Sequence, residues 1–174
     1  MARRGPDAGG VWIDRHVGLG HRRLAVIDLA GGVQPMQAEE LGQTTVSLIY
    51  TGEVYNFVEL RDELKQLGHQ FKTRSDTEVV LRGYLQWGDK VAERLNGMFA
   101  FAIWDVRTEE LFLIRDRMGV KPLFYYPTAD GVLFGSELGL IPTLASDFPL
   151  PARYRIEVPI ESCSTTPSSR TTPS

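Results

Sequence analysis

The feature that most constrains the fold is a change of hydrophobic period near residue 97. Between residues 56 and 88, apolar residues recur with the spacing of amphipathic helices. Beyond that point, residues 99–104 alternate large and small side chains that are all apolar, which is typical of a strand covered on both faces. Strands, then helices, then further strands predict an α+β layered fold with antiparallel strands, rather than a parallel βαβ sheet.

Two helices have clear start signals. Asn56 precedes the first, and Glu59 follows it in capping-box spacing. Ser75 precedes the second, Glu78 stands in the same spacing, and Gly88 is expected to end that helix. Each of the two helices carries one apolar face.

Short apolar runs predict the strands. They occupy residues 11–13, 24–27, 46–50, 99–104, 111–114, 123–126 and 132–134. A Gly-rich polar connection is expected at about residues 29–43. The strand at 46–50 is expected to stop at Thr51-Gly52-Glu53, because glycine permits an unusual backbone turn.

Composition excludes several classes of protein. The chain has 174 residues, 43% of them apolar, which suits one domain with a full-sized core. A net charge of −3 with mixed signs does not favour nucleic-acid binding. No apolar run approaches the roughly 20 residues of a membrane helix. The N-terminus lacks a secretory apolar region, so we expect a cytoplasmic protein that contacts neither nucleic acid nor membrane.

Metal and disulfide chemistry are not expected. His16, His21 and His69 do not have the spacing of zinc ligands. The single cysteine, Cys163, excludes an internal disulfide framework. There is no phosphate-binding Gly-Lys-Ser/Thr loop either, so the sequence predicts no metal and no cofactor in this chain.

Four polar segments have complementary chemistry, although each alone has an ordinary explanation such as a turn or a surface cation. They are Arg4-Gly5-Pro6-Asp7, residues 21–28, residues 50–56, and Ser75-Asp76-Thr77-Glu78. The planar guanidinium of Arg23 suits a carboxylate. Glu53 and Asp76 suit an ammonium group. The backbone N–H of Gly52 suits a developing oxyanion, because glycine allows a close approach. Together these groups predict a pocket for a free amino acid.

In this order the segments resemble a known family. Residues 96–102, 115–123 and 134–137 continue the likeness, which covers about residues 3–145. The chain resembles the class II glutamine amidotransferase domain, a glutaminase with an N-terminal nucleophile, in the branch of the glutamine-dependent asparagine synthetases. The resemblance implies a four-layer αββα sandwich of two mostly antiparallel sheets, expected here to be incomplete at its N-terminal edge.

The resemblance also implies roles for individual residues. Arg23, with the backbone of Leu24, Ala25, Val26 and Ile27, would hold the carboxylate of glutamine. Glu53 and Asp76 would hold its ammonium group. Gly52 would supply the oxyanion N–H, and the Thr51 hydroxyl would stand where relatives have an asparagine. The full-length family enzyme is a ligase that makes asparagine from aspartate, glutamine and ATP, with magnesium.

The sequence departs from that family at its start. The family nucleophile is an N-terminal cysteine, whereas this chain begins Met1-Ala2-Arg3-Arg4. Cys163 has neither a free α-amine nor a partner base, so it is not expected to substitute. We therefore expect no catalytic residue beyond the oxyanion groups and no glutamate release by this chain.

The expected organisation is a partial glutamine amidotransferase domain at residues 1–147, a linker at 148–160, and a Ser/Thr/Pro-rich disordered tail at 161–174. Three other interpretations stay open. They are a non-catalytic glutamine-binding or regulatory module, a protein that docks on a full-length synthetase, and a β-lactam synthetase-like relative with a different acceptor. The expected partners are glutamine and either a synthetase domain or a full-length synthetase.

Overall fold

The computed structural model describes residues 7–23, 32–128, 131–137 and 154–157. For Arg23 and for residues 154–157 it describes the backbone alone. Its elements in chain order are β1 (Ala8–Asp14), β2 (Val17–Arg23), β3 (Met36–Glu40), β4 (Gln43–Val54), α1 (Phe57–Gln66), α2 (Asp76–Trp87), α3 (Val91–Arg94), β5 (Gly97–Asp105), β6 (Glu110–Arg115), β7 (Phe124–Thr128), β8 (Gly131–Gly135) and β9 (Tyr154–Glu157). A 3₁₀ turn at Gly88–Lys90 joins α2 to α3.

A five-stranded sheet forms the centre of the molecule. Its strand order is β3-β4-β5-β6-β9, and every pair is antiparallel except β6 with β9, which is parallel. Two separate hairpins, β1-β2 and β7-β8, make up the rest of the described strands. In the β4-β5 pair, Thr51 lies opposite Ala100 and Gly52 lies opposite Phe99.

Strand β5 divides the core between two layers. Phe99, Phe101 and Ile103 point to one side and pack with the helices. Ala102 and Trp104 point to the other side and pack with β2, β6 and β8. The predicted doubly covered strand is therefore confirmed. The described residues contribute three layers: helices, the central sheet and the two hairpins. The α+β class and the antiparallel sandwich are confirmed.

Strands β2 and β3, like β9, were not predicted from the hydrophobic pattern. Strand β2 contains Gly18 and Gly20, and these two glycines interrupt the apolar run although Val17 and Leu19 are buried. Strand β3 lies inside the segment predicted to be a polar connection, and Ala38 is its buried residue. Among the described strands it lies at the edge of the sheet, paired with β4 alone, and a strand in that position carries a weak apolar signal.

The predicted end of β4 was also wrong. The strand continues through Gly52 to Val54, and stays paired with β5 to Gly97. Gly52 has φ +143°, so the unusual backbone that the glycine allows is accommodated within the ladder. This extension carries Thr51, Gly52 and Glu53 as part of a sheet rather than as a loop.

The start of α2 is confirmed, but the two predicted capping boxes are not formed. The Ser75 hydroxyl accepts a hydrogen bond from the Thr77 amide at 3.2 Å, as expected of a cap. Glu78, however, accepts from residues 72 and 73. Asn56 makes no side-chain cap on α1 and bonds instead to the backbone of Arg94 and Asn96. Asn56 is therefore held by residues that are distant in sequence, whereas Glu78 bonds to the segment just before α2.

Other predictions concern residues at the margins of the described structure. The strand predicted at residues 24–27 and the Ser/Thr/Pro tail at 161–174 lie outside the described residues. Strand β9 falls within the segment predicted to be a linker, residues 148–160, and pairs with β6.

Candidate functional site

A large open cavity lies between the central sheet, the two hairpins and the start of α2. Its volume is about 1140 Å³. Its lining includes backbone and side chains of β1 and β2, the middle of β4 and β5, the segment at residues 120–123, and β8. Ala100 and Ala102 lie among these residues, on the face of β5 opposite the one from which Phe99 and Ile103 pack with the helices. The alternation along β5 therefore leaves room for a ligand.

Gly52 is a position on β4 where no side chain fits. A Cβ built there would run into the carbonyl oxygen of Met98 and would lie 2.6 Å from the Cα atom of Phe99. The positive φ of Gly52 adds backbone strain for any other residue. The backbone of β4 therefore approaches β5 closely at this point, and Gly52 lines the cavity.

Asp76 is the buried acid of the site. It opens α2, where the helix dipole favours a negative charge, and only 5% of its surface is exposed. Its Oδ2 atom accepts from the Tyr50 hydroxyl at 2.7 Å and from the Val54 amide at 3.1 Å. The Ser75 hydroxyl lies 3.4 Å from Oδ1. These donors are neutral, so they orient the carboxylate without supplying a compensating positive charge.

Tyr50 is fixed on β4 from several sides. Its amide donates to the Oε1 atom of Gln34 at 2.6 Å, and its ring lies 6.4 Å from that of Phe101. Burial, and next the charge of Asp76, raise the pKa of the Tyr50 hydroxyl far above its ordinary value. The hydroxyl is therefore protonated at neutral pH, where it donates to Asp76.

A clamp holds the segment that leads into α2. The Glu78 carboxylate accepts from the amides of Lys72 and Thr73 at 2.9 and 2.6 Å. From α1, the Arg61 guanidinium donates to the carbonyl oxygens of Thr73 and Ser75 at 2.6 and 2.9 Å. Burial favours the neutral acid, but these amide hydrogen bonds hold the pKa of Glu78 below its ordinary value. The clamp fixes the position of Asp76 relative to the sheet.

A second acid organises the segment that follows β6. Asp116 is buried and accepts from the amides of Val120 and Lys121 at 2.9 and 3.0 Å, and from that of Phe99 at 3.3 Å. Burial opposes its charge, yet these amides keep the pKa of Asp116 below its ordinary value. The Arg115 guanidinium bonds to the carbonyl oxygen of Lys121 at 2.7 Å. The result is a compact turn that places residues 120–123 against the cavity.

The predicted site residues divide into two groups. Thr51, Gly52, Glu53 and Asp76 line the same cavity, and the side chains of Thr51 and Glu53 are exposed there. The backbone of Arg23 ends β2 opposite Ala8, and its side chain lies outside the described part of the chain. Leu24, Ala25, Val26 and Ile27 also lie outside it. Their roles stay predictions.

Sequence reasoning assigned no role to Tyr50, Gln34 or Asp116. Tyr50 and Asp116 stand within motifs that carried the family resemblance, so the signal was present but the contacts were not visible. Gln34 stood in the supposed connection, where a polar residue attracts no notice, yet it is 7% exposed and lines the cavity. Buried polar residues of this kind are recognised only when their partners are known.

Metal-binding clusters and membrane-spanning helices are both absent from the described part of the chain. Its residues contain no group of three or more His, Cys, Asp or Glu side chains placed to hold a metal ion. Across the same residues, none of the helices has the length and apolar character needed to cross a membrane.

The chain matches curated relatives over most of its length. It is 50% identical over 141 residues to asparagine synthetase (glutamine-hydrolysing) 3 of Bacillus subtilis (strain 168), covering 81% of this chain and 23% of that protein. It is 45% identical over 137 residues to asparagine synthetase (glutamine-hydrolysing) 1 of the same organism, covering 79% of this chain and 21% of that protein. The chain thus spans between a fifth and a quarter of the length of these relatives.

Two solved structures share the fold. One is the glutamine phosphoribosylpyrophosphate amidotransferase of B. subtilis complexed with ADP and GMP, with a TM-score of 0.57 and 27% identity, covering 69% of this chain and 27% of that chain. The other is the allosteric regulatory enzyme of purine biosynthesis, with a TM-score of 0.61 and 26% identity, covering 74% of this chain and 29% of that chain. Residues 1–151 match the family described as glutamine amidotransferase domain, and the chain belongs to that family.

Proposed function

We propose that the cavity binds L-glutamine and that the chain is the glutamine-binding part of an asparagine synthetase that hydrolyses glutamine. The observation that carries this proposal is the position of Asp76. It is a buried carboxylate, held by neutral donors, that lines the same cavity as Gly52. An amino acid brings the ammonium group that such a carboxylate lacks, because a buried charge is costly without a partner.

The chemistry of the cavity suits each end of glutamine. The α-ammonium would pair with Asp76 and with the exposed Glu53. The backbone amide of Gly52 would donate to the side-chain carbonyl oxygen, which becomes an oxyanion when the amide is attacked. The Thr51 hydroxyl would be a second donor there. Arg23, with the backbone of residues 24–27, would hold the α-carboxylate through paired hydrogen bonds.

In the whole enzyme, the ammonia released from glutamine would amidate aspartate in a synthetase domain. That step would consume ATP with magnesium, and we assign no residue of this chain to either. The support is the identity of 50% and 45% to relatives named as glutamine-hydrolysing asparagine synthetases. The family match at residues 1–151 includes Gly52, Asp76 and the segments around them, so the likeness covers residues that line the cavity.

The test is a calorimetric titration of the purified chain with L-glutamine, with D-glutamine as the matched control. We expect saturable binding of the L-isomer in the millimolar range and no binding of the D-isomer, because only one hand aligns the ammonium, carboxylate and amide together. Equal heats for both isomers, or none for either at tenfold higher ligand, would contradict the proposal.

The same samples distinguish the two forms of the hypothesis. Glutamate is measured in each titrated sample after incubation. Binding without glutamate supports the non-catalytic module that the sequence left open. Binding with steady glutamate release supports a working glutaminase.

A further inference from the structure

The two oxygen atoms of Asp76 have different surroundings. Oδ2 is occupied by the Tyr50 hydroxyl at 2.7 Å and the Val54 amide at 3.1 Å. Oδ1 has the Ser75 hydroxyl at 3.4 Å, which is the long limit of a hydrogen bond. Counting the described residues alone, Oδ1 is therefore the atom with accepting capacity left for a ligand.

We propose that Tyr50 is a positioning residue that makes Asp76 selective for a ligand with an α-ammonium group, by holding Oδ2 so that Oδ1 faces the cavity. This inference rests on the proposed function, since it concerns the same cavity. The hydroxyl itself acts through Asp76.

The surroundings of Tyr50 suit this role. Its backbone is tied to Gln34, its ring packs on Phe101, and it is 4% exposed, so the hydroxyl has one direction in which to point. An Asp side chain opening a helix has broad freedom about its terminal torsion. Two donors on one oxygen remove that freedom, and the ordering of the carboxylate is then complete before the ligand arrives.

The chain provides a matched control. Tyr84 also donates its hydroxyl to a buried carboxylate, Asp105, at 3.1 Å. Neither Tyr84 nor Asp105 lines the cavity. Tyr84→Phe and Tyr50→Phe each remove a hydroxyl that donates to a buried carboxylate. At Tyr84, however, no ligand is expected nearby.

The experiment compares two ligands with three proteins. Calorimetry measures the affinity of the wild type, Tyr50→Phe and Tyr84→Phe for L-glutamine and for 4-carbamoylbutanoate, which is glutamine without its α-amino group. The quantity of interest is the ratio of the two affinities, because a general loss of folded protein changes both in proportion. We expect Tyr50→Phe to lower this ratio by about tenfold, and Tyr84→Phe to leave it within about twofold.

The outcomes separate this inference from the proposed function. If the wild type does not bind L-glutamine, the proposed function fails and the role of Tyr50 fails with it. If the wild type binds and Tyr50→Phe keeps the wild-type ratio, only the role of Tyr50 is overturned. An equal fall of the ratio in Tyr84→Phe would show a general effect of lost hydroxyls and would also overturn it.

A second variant covers the case in which Tyr50→Phe does not fold. Site-specific 3-fluorotyrosine at position 50 keeps the ring and the hydroxyl and makes the hydroxyl a stronger donor. The ratio should then equal or exceed that of the wild type. A ratio as low as that expected of Tyr50→Phe would mean that the hydrogen bond does not set the selectivity.

Discussion

Helix α2 is joined to the central sheet at both ends by a tyrosine–aspartate hydrogen bond, with the two partners exchanged. At its first turn the helix supplies Asp76 and strand β4 supplies Tyr50. Near its last turn the helix supplies Tyr84 and the end of β5 supplies Asp105. The same pair of groups is thus used twice, with opposite direction, to hold one helix on one sheet.

Asp76 and Asp105 differ in the groups that donate hydrogen bonds to their carboxylates. Asp105 also accepts from the guanidinium of Arg107 at 2.6 and 2.9 Å and from its amide at 3.0 Å. Asp76 accepts from a phenol, an amide and a serine hydroxyl, and it lines a cavity. Asp105 is neutralised by Arg107, whereas the donors to Asp76 among the described residues order its carboxylate without bringing a positive charge. Such a difference separates a structural ion pair from a binding group more clearly than burial does.

The largest expected effect is a difference in stability between substitutions at two glycines, Gly52 on β4 and Gly83 in α2. Gly52→Ala places a methyl group against backbone atoms of Met98 and Phe99 at positive φ, so we expect a loss of roughly 3–5 kcal/mol in the free energy of unfolding. Gly83→Ala in α2 meets side-chain atoms of Val91 and Trp87 at 2.8 and 3.2 Å. These side chains can shift, and the gain in helix propensity of about 1 kcal/mol offsets the crowding.

Urea denaturation of both variants measures this contrast. We expect Gly83→Ala to stay within about 1 kcal/mol of the wild type. Similar losses in the two variants would mean that β4 moves away from β5 freely at Gly52, and the close approach would then have no functional meaning.

The next largest effects are expected at the two aspartates. Substitution of Asp105 should lower stability, whereas substitution of Asp76 should lower the affinity for L-glutamine. Asp105→Asn should lower the free energy of unfolding by about 1–3 kcal/mol, since the Arg107 guanidinium and the Tyr84 hydroxyl lose a charged acceptor. Its affinity for L-glutamine should not change. Asp76→Asn should weaken L-glutamine binding by about tenfold or more, because the ammonium loses its counter-charge.

Calorimetry and urea denaturation on the same two proteins test this crossing. If Asp105→Asn and Asp76→Asn lost stability and affinity to the same degree, the two carboxylates would not differ in role as their contacts indicate. Tyr84→Phe, which keeps both carboxylates, is the common control.

The smallest expected effect is the pH dependence of stability that comes from Asp105. Burial raises the pKa of Asp105, but the hydrogen bonds from Arg107 outweigh it, so the folded pKa lies below the ordinary value of about 3.9. A lowered folded pKa contributes stability that is present above that value and is lost as the pH falls through the folded pKa.

Urea midpoints measured from pH 7 down to about pH 2 should therefore fall at the acid end in the wild type, and less steeply in Asp105→Asn. Glu78 and Asp116 also have lowered pKa values, so a residual acid decline is expected in the variant. An identical acid decline in both proteins would show that the Arg107 contact does not persist in solution.

Much of the fold was predictable because its signals are local. The change of period at residue 97, the apolar alternation of β5 and the cap at Ser75 depend on residues within a few positions of each other. The strands that were not predicted lack such a local signal. Strand β3 and the glycine-containing β2 show little apolar pattern, and they are strands because β4 and β1 pair with them.

The candidate site was predictable in part for a different reason. Gly52, Glu53 and Asp76 were identified by the kinds of groups that an amino acid requires and by the order of the motifs. Tyr50, Gln34 and Asp116 were not identified, since nothing in a tyrosine or a glutamine by itself states what it will contact. Gln34 and Tyr50 meet across 16 positions of sequence.

The sequence by itself determined the helices, the strands with a clear apolar pattern and the chemical groups that are available, since periodicity and side-chain identity need no partner. Only the tertiary structure decided that Tyr50 meets Asp76 across 26 positions and that Tyr84 meets Asp105 across 21. The physical reason is that a buried carboxylate is defined by the donors around it, and those donors come from distant strands and helices brought together by packing of the core.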